Sequence, residues 1–216
     1  MAGQRRPIPI SQLQKYSVNR AGMVNAFTQP LYDFQAYAAG GQTSLVFFQL
    51  PIGQASKTYA DTNMTNPGAL PNPVRQIVQS IQIMFFPGSA VNATGAIGTN
   101  GLNWQDVWTV WKSGWLEFLV GSSTLLYDAP LGKFPCSQRL AGAAALADAT
   151  TAGAGLHSQI DYATFAGPVK QITPVLLEPT QNFSVTLRWP TAVALPSTVA
   201  GRIGVILEGE QYKLSQ

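Results

Sequence analysis

Side chains capable of nucleophilic or acid–base catalysis are scarce in this 216-residue chain, which has a single histidine, His157, and a single cysteine, Cys136. Catalysis by a serine or cysteine nucleophile needs a base within hydrogen-bonding reach. His157 lies beside a Gly/Ala-rich segment, and the sequence has no G-x-S-x-G nucleophile elbow. We therefore interpret His157 as a solvated surface residue and Cys136 as a buried or half-buried thiol, and predict no catalytic residue.

Metal and paired-carboxylate chemistry have equally little support. One cysteine and one histidine exclude Cys₂His₂ and Cys₄ zinc sites, and also the several-histidine metal site of cupin enzymes. The densest carboxylate–amide cluster, Asp61-Thr-Asn63, lacks the spacing of a calcium loop. Glycoside hydrolysis needs two facing carboxylates. Glu117 and Glu208 lie on predicted strands, but nothing in the sequence pairs them. We predict no metal, no cofactor and no enzymatic activity.

Charge is low and unevenly distributed. Only 11% of residues are charged, against about a quarter in an average soluble domain. Either neutral polar loops supply the surface, or much of the surface is buried against neighbouring subunits, where charge is depleted; we favour the second interpretation. The first acidic residue is Asp33, whereas residues 1–32 carry four basic ones: Arg5, Arg6, Lys15 and Arg20.

These patterns divide the chain into two parts. Residues 1–32 contain Pro7 and Pro9 and no sustained period, which predicts an extended basic arm. Residues 33–216 are long enough for a single domain. The N-terminus has no secretory h-region, and no apolar run reaches the roughly 18 residues of a spanning helix. We therefore expect synthesis and folding in a cytosol.

Period-2 alternation dominates the domain. It is clearest at residues 77–85, 183–189 and 203–214, and Pro-containing turns end several such runs. Seven or eight strands are predicted, without regular helices between them, which disfavours a parallel sheet. An all-β antiparallel sandwich of two sheets, jelly-roll in type, with one or two short helices in loops, fits best. An immunoglobulin-like sandwich is second, because its Cys…Trp…Cys pattern is absent.

Two segments have helical spacing. Trp104, Trp108 and Trp111, together with Val107, follow the i, i+3, i+4, i+7 pattern, which predicts a helix over 102–112 that packs its indoles against the sheet. Trp115, at the start of the next strand, joins them in a predicted core or interface cluster. The alternative is a carbohydrate-stacking platform. A second short helix, followed by a loop, is predicted within 137–155. The residues at helical spacing there are Leu140, Ala143, Ala144 and Ala147.

The order of segments resembles the small jelly-roll capsid proteins of phages. The resemblance covers most of residues 34–214, and its motifs are of low specificity. It implies a subunit that oligomerises and tiles a shell, in a virion assembled after synthesis in the host cytoplasm, with no catalytic residue. The segments concerned are residues 74–87, the helix and hairpin of 104–127, Ala129-Pro-Leu-Gly-Lys-Phe-Pro135, Phe183-Ser-Val-Thr-Leu-Arg-Trp189 and Ile203-Gly-Val-Ile-Leu-Glu-Gly209.

On this interpretation the partners are copies of the chain and other virion proteins. The arm contacts either packaged nucleic acid or an inner membrane through its charge, or else straps onto a neighbouring subunit; both alternatives stay open. A carbohydrate- or receptor-binding β-sandwich module of a virion is the alternative function. It explains the sandwich and the aromatic residues but not the basic arm. An esterase or glycosidase is a distant third.

Overall fold

Two antiparallel sheets pack face to face in the computed structural model, which describes residues 24–88, 102–121, 124–134, 141–147, 156–162 and 169–214. The predicted all-β sandwich is confirmed. The strands are β1 Val24–Thr28, β2 Leu31–Tyr37, β3 Ser44–Phe47, β4 Arg75–Phe86, β5 Trp115–Val120, β6 Thr124–Pro130, β7 Ala141–Ala147, β8 Leu156–Tyr162, β9 Lys170–Leu177, β10 Phe183–Arg188 and β11 Gly201–Leu214. Helix α1 spans Leu102–Ser113, and Gln54–Ser56 and Leu131–Lys133 form single 3₁₀ turns.

The strand order is that of a jelly roll. Sheet A runs β2-β11-β4-β9, with β1 pairing beside β2 on β11, and sheet B runs β3-β10-β5-β6. Besides β1 and β2, which share one edge of sheet A, only β5 and β6 of these strands follow each other within one sheet; every other connection among them crosses between the sheets. Such crossing is what two interlocked Greek keys produce. Eight strand positions therefore build the sandwich, and β7 and β8 form a separate hairpin between β6 and β9.

The first two strands act as one edge strand. β1 pairs from Val24↔Leu214 to Thr28↔Glu210, and β2 resumes at Leu31↔Leu207 without a change of register. Pro30 has no N–H to donate, so it interrupts the ladder without shifting it. The sheet therefore includes residues 24–32, which the sequence analysis assigned to the arm.

The core lies between the sheets and is rich in aromatic rings. Tyr37 packs edge-on against Phe85 at 5.8 Å and Trp189 at 5.4 Å between ring centroids. Its hydroxyl donates a 2.8 Å hydrogen bond to the carbonyl of Val193. Burial raises the pKa of Tyr37 to about 12. A phenol with this pKa stays neutral at physiological pH, as a core position requires.

The Ala/Gly-rich segment is a strand, so the predicted helix there is wrong. β7 pairs with β8 from Ala141↔Tyr162 to Ala147↔Leu156. Pairing with β8 satisfies the backbone groups along one edge of β7. Alanine spacing alone is a weak helical signal, because tertiary pairing routinely overrides local propensity.

Candidate assembly surface

The two carboxylates considered for glycosidase chemistry lie on different sheets. Glu117 is on β5 of sheet B, and Glu208 is on β11 of sheet A. Glu117 accepts hydrogen bonds from Arg188 Nε at 2.7 Å and Trp115 Nε1 at 2.9 Å. Burial alone would raise the pKa of Glu117, but the bonds from Trp115 and Arg188 and the Arg188 charge lower it on balance. A carboxyl held ionised in this way is a poor proton donor for catalysis.

The Asp61-Thr-Asn63 cluster is hydrogen-bonded to the edge of β2. The Asp61 carbonyl accepts the Phe34 N–H at 2.7 Å, and Asn63 Oδ1 accepts the Tyr32 N–H at 3.1 Å. This segment thus covers the hydrogen-bonding groups of an edge strand. Within the described ranges, no group of three or more His, Cys, Asp or Glu side chains is placed to hold a metal ion.

A buried ion pair that the sequence reasoning missed ties the two sheets together. Asp33, fully buried on β2, pairs with Lys57 and accepts the Phe48 N–H at 2.6 Å, just after β3. Lys57 Nζ also donates to the Phe34 carbonyl at 2.8 Å. Burial raises the pKa of Asp33 more than the bonds from Lys57 and Phe48 lower it. The available signal was a polar residue, Asp33, at an inward position of the alternation between Leu31 and Tyr37.

The outer face of sheet A is apolar and aromatic. Residues opposite each other in an antiparallel ladder share a face, and the register places Phe34, Gly204 and Met84 in one row. The Phe34 ring lies 5.9 Å from Phe86 and 6.3 Å from Tyr32 between centroids. We call this surface the outer A face; its apolar members are Tyr32, Phe34, Met84, Phe86 and Ile206. Gln82 and Ser80 of β4 lie on the same side, opposite Ile206 and Glu208, and are buried, as is Met84.

Charges border the outer A face at both ends. At one end the Arg202 guanidinium lies 4.5 Å from the Phe34 ring centroid and bonds Asp61 at 2.8 Å and the Ala60 carbonyl. Hydrogen bonds from Thr58, with the Arg202 charge, hold the pKa of Asp61 below its usual range. At the other end, Glu208 and Glu210 lie on the same side of β11. The face therefore has a centre of aromatic and aliphatic side chains with the amide of Gln82, and charges at both ends.

The outer face of sheet B is more polar. Its central row aligns Val46, Thr186, Glu117 and Asp128 across four strands. The exposed apolar residues Val46 and Leu126 lie on its edge strands. Of the two outward surfaces of the sandwich, the outer A face is the one with neighbouring aromatic rings, whereas the most exposed apolar side chains of the two faces, Val46 and Leu126, lie on sheet B.

The predicted helix is confirmed, but its tryptophans do not all pack inward. Trp111 is buried, and its indole Nε1 donates to the Phe134 carbonyl at 3.2 Å. Trp108 is 62% exposed, so its placement in the core is corrected. Trp115 is half-buried and bonds Glu117. The Trp104 side chain lies outside the described part.

The helix orientation is decided by distant contacts. Asp106 Oδ1 accepts the Ser197 N–H at 2.9 Å, and the Val110 carbonyl accepts the Trp189 indole N–H at 2.9 Å. These bonds turn the Asp106 and Val110 side of α1 inward. With 100° per residue, Trp108 then points away, although the spacing alone had grouped it with Trp111. The residues predicted for the arm, Arg5, Arg6, Lys15 and Arg20, lie outside the described residues, as do Cys136 and the His157 side chain.

Comparison with known proteins adds no relative: no family model, no curated protein and no solved structure matches this chain. None of the described helices has the length and hydropathy needed to cross a bilayer. The class defined by the fold is therefore an antiparallel jelly-roll sandwich with an apolar outer A face.

Proposed function

We propose that this chain is a virion structural protein, a capsid subunit that self-assembles into a phage shell. The strand order β2-β11-β4-β9 facing β3-β10-β5-β6 carries this proposal. Viral capsid domains, lectin domains and cupins use this architecture. The single histidine of the sequence cannot supply the several-histidine metal site of cupin enzymes.

Two surface properties support self-assembly rather than a monomeric protein. The chain has 11% charged residues, and a subunit whose surface is covered by neighbours needs less charge for solubility. The outer A face offers half-buried aromatic side chains, Tyr32 and Phe34, beside Ile206. Copies of the chain are the primary partners in this proposal, with other virion proteins at the remaining surfaces.

The basic arm is assigned to neighbouring subunits or the particle interior. Arg5, Arg6, Lys15 and Arg20 supply charge without any acidic residue before Asp33, which suits contact with phosphate groups of nucleic acid or an inner membrane. A variant lacking residues 1–20 should bind nucleic acid more weakly than the full chain, with a shallower salt dependence. Equal affinities would assign the arm to protein contacts instead.

Electron microscopy of the purified protein, with light-scattering mass across salt and pH, tests the proposal. Shells, sheets or capsomer-sized rings are expected. A monodisperse monomer or dimer under every condition would overturn self-assembly as the main function.

One observation favours a second function, a carbohydrate- or receptor-binding module. Trp108 exposes 62% of its surface on a helix anchored by Asp106 and Trp111. A rigidly presented indole can stack on a sugar ring or act as a binding hot spot. A glycan array compares the wild type with Trp108→Ala and, as a control that keeps an aromatic ring, Trp108→Phe. Binding that only Trp108→Ala abolishes would favour this function.

A further inference from the structure

We propose that a second copy of this chain docks on the outer A face, two-fold related about Ile206. This inference rests on the proposed self-assembly and names the surface through which one pairwise contact forms. The two sheets would pack face to face, as the sheets of a sandwich do, about 10 Å apart.

The shape of the face suits flat packing. At the row of Phe34 and Met84, β11 carries Gly204, and an added Cβ there would lie 2.1 Å from the Phe34 ring. The ring therefore lies directly over the backbone of β11. Tyr59, 71% exposed, stands beside this surface, where its carbonyl accepts the Tyr32 hydroxyl. The centre therefore combines the half-buried Ile206 and Phe34 with the buried Met84 and Gln82 of β4, and an aromatic side chain borders it.

The charges of β11 are self-complementary about Ile206. Arg202 precedes Ile206 by four residues and Glu210 follows it by four, all on the outward side of the strand. Suppose that a two-fold axis at Ile206 relates the copies so that their β11 strands face each other and are antiparallel. Each Arg202 then lies near Glu210 of the second copy. Arg202 uses Nη2 for both Ala60 and Asp61. Its other donors are available for such a pairing, because a guanidinium carries five N–H groups.

The area of the outer A face bounds the size of the contact. Nine residues of β11 at ~3.3 Å each, across β2, β11 and β4 ~4.8 Å apart, give roughly 430 Å² before the side chains are counted, because β9 pairs with β4 only opposite residues 207–211. Standard interfaces bury about 800 Å² per partner. A symmetric contact of this size commits the same patch on both copies.

Strand addition is a weaker alternative on this side of the sandwich. The free edge of β2 is covered by Asp61 and Asn63, and Gln35 Nε2 and Asp33 bond the end of β3. The opposite edge of sheet A, β9, contains Pro174, which cannot donate to a further strand. These features favour association through a face.

Two substitutions test the contact, each with a matched control on the outer face of sheet B. Ile206→Glu places like charges at the axis, and Glu210→Lys sets a lysine against Arg202 of the second copy. The controls are Leu126→Glu and Asp128→Lys. Sedimentation over a concentration series measures the dimer Kd, and thermal melting of each variant as a monomer confirms folding.

We expect Ile206→Glu and Glu210→Lys each to raise the dimer Kd at least tenfold, while both controls stay within twofold of wild type. Wild-type assembly that neither substitution weakens would overturn this inference and leave the proposed function standing; it would mean that the copies associate through another surface. A wild type that stays monomeric would overturn both.

Discussion

Phe34 lies flat over Gly204, its cross-strand neighbour on β11, so closely that a Cβ at Gly204 would approach the ring to 2.1 Å. Phe34 in turn supports the Arg202 guanidinium, 4.5 Å from its ring centroid. Because Gly204 has no side chain, the Phe34 ring can lie close to the sheet, and this sets the position of the Arg202 guanidinium beside the ring. The outer A face depends on this arrangement.

Replacing Gly204 should destabilise the protein. Gly204→Ala forces the Phe34 ring off the strand, and overpacking of this kind costs about 1–3 kcal/mol. Equilibrium denaturation with urea measures the free energy of unfolding. The matched control is Gly40→Ala, because no atom lies within 4 Å of an added Cβ there; its free energy of unfolding should change by less than ~0.5 kcal/mol. Equal effects of the two substitutions would contradict the close approach.

Removing Lys57 should be among the most damaging single changes. Lys57→Met leaves Asp33 buried without its cation, a loss typically worth about 3–5 kcal/mol. Adding Asp33→Asn should recover much of this, because the amide oxygen still accepts the Phe48 N–H. Lys133→Met, at an exposed lysine, is the control. Denaturation midpoints compare the four proteins, and a harmless Lys57→Met would rule out a role for the pair in stability.

Asp61 gives a pH dependence with a defined sign. Hydrogen bonds from Thr58 and the Arg202 charge lower its folded-state pKa. Its contribution to stability is therefore complete above the unfolded pKa of about 3.9 and is lost as the pH falls through the lower folded value. The free energy of unfolding of wild type should exceed that of Asp61→Asn by a few tenths to ~1 kcal/mol at pH 6. The difference should shrink toward zero as the pH falls through the folded-state pKa of Asp61; a constant difference would contradict this origin.

Truncation of the two described helix tryptophans should lower the free energy of unfolding by very different amounts. Trp111→Ala removes a buried indole and its bond to Phe134, at a cost of about 3–5 kcal/mol. Trp108→Ala removes a side chain that is 62% exposed and should change stability by less than ~1 kcal/mol. Acrylamide quenching should fall more in Trp108→Phe than in Trp111→Phe. Similar losses of stability for both alanine variants would contradict the helix orientation.

Secondary structure could be predicted from the sequence wherever one side-chain periodicity, that of a strand or that of a helix, governs the segment. Strands at residues 77–85, 183–189 and 203–214 were predictable, because side chains alternate between an apolar core and a polar surface. Helix α1 was predictable from its 3.6-residue spacing. The candidate surface was partly visible, since Met84 and Phe86 occupy the second side of a strand whose first side is already apolar.

Contacts between distant segments could not be predicted in this way. The partner of Asp33 is Lys57, 24 residues later, and the orientation of α1 depends on Ser197, 91 residues after Asp106. The helix itself was predicted correctly, but of Trp108 and Trp111 only Trp111 packs against the core. The Ala-rich β7 became a strand because β8 was available to pair with it.

The sequence by itself determined the all-β class, the helix near its tryptophans and the basic N-terminal region, because these depend on composition and on short-range periodicity. Only the tertiary structure decided the jelly-roll order, the Asp33–Lys57 link between the sheets and the row of Phe34, Gly204 and Met84. These depend on which strands pair and in what register, and register is set by the burial of whole faces rather than by any local segment.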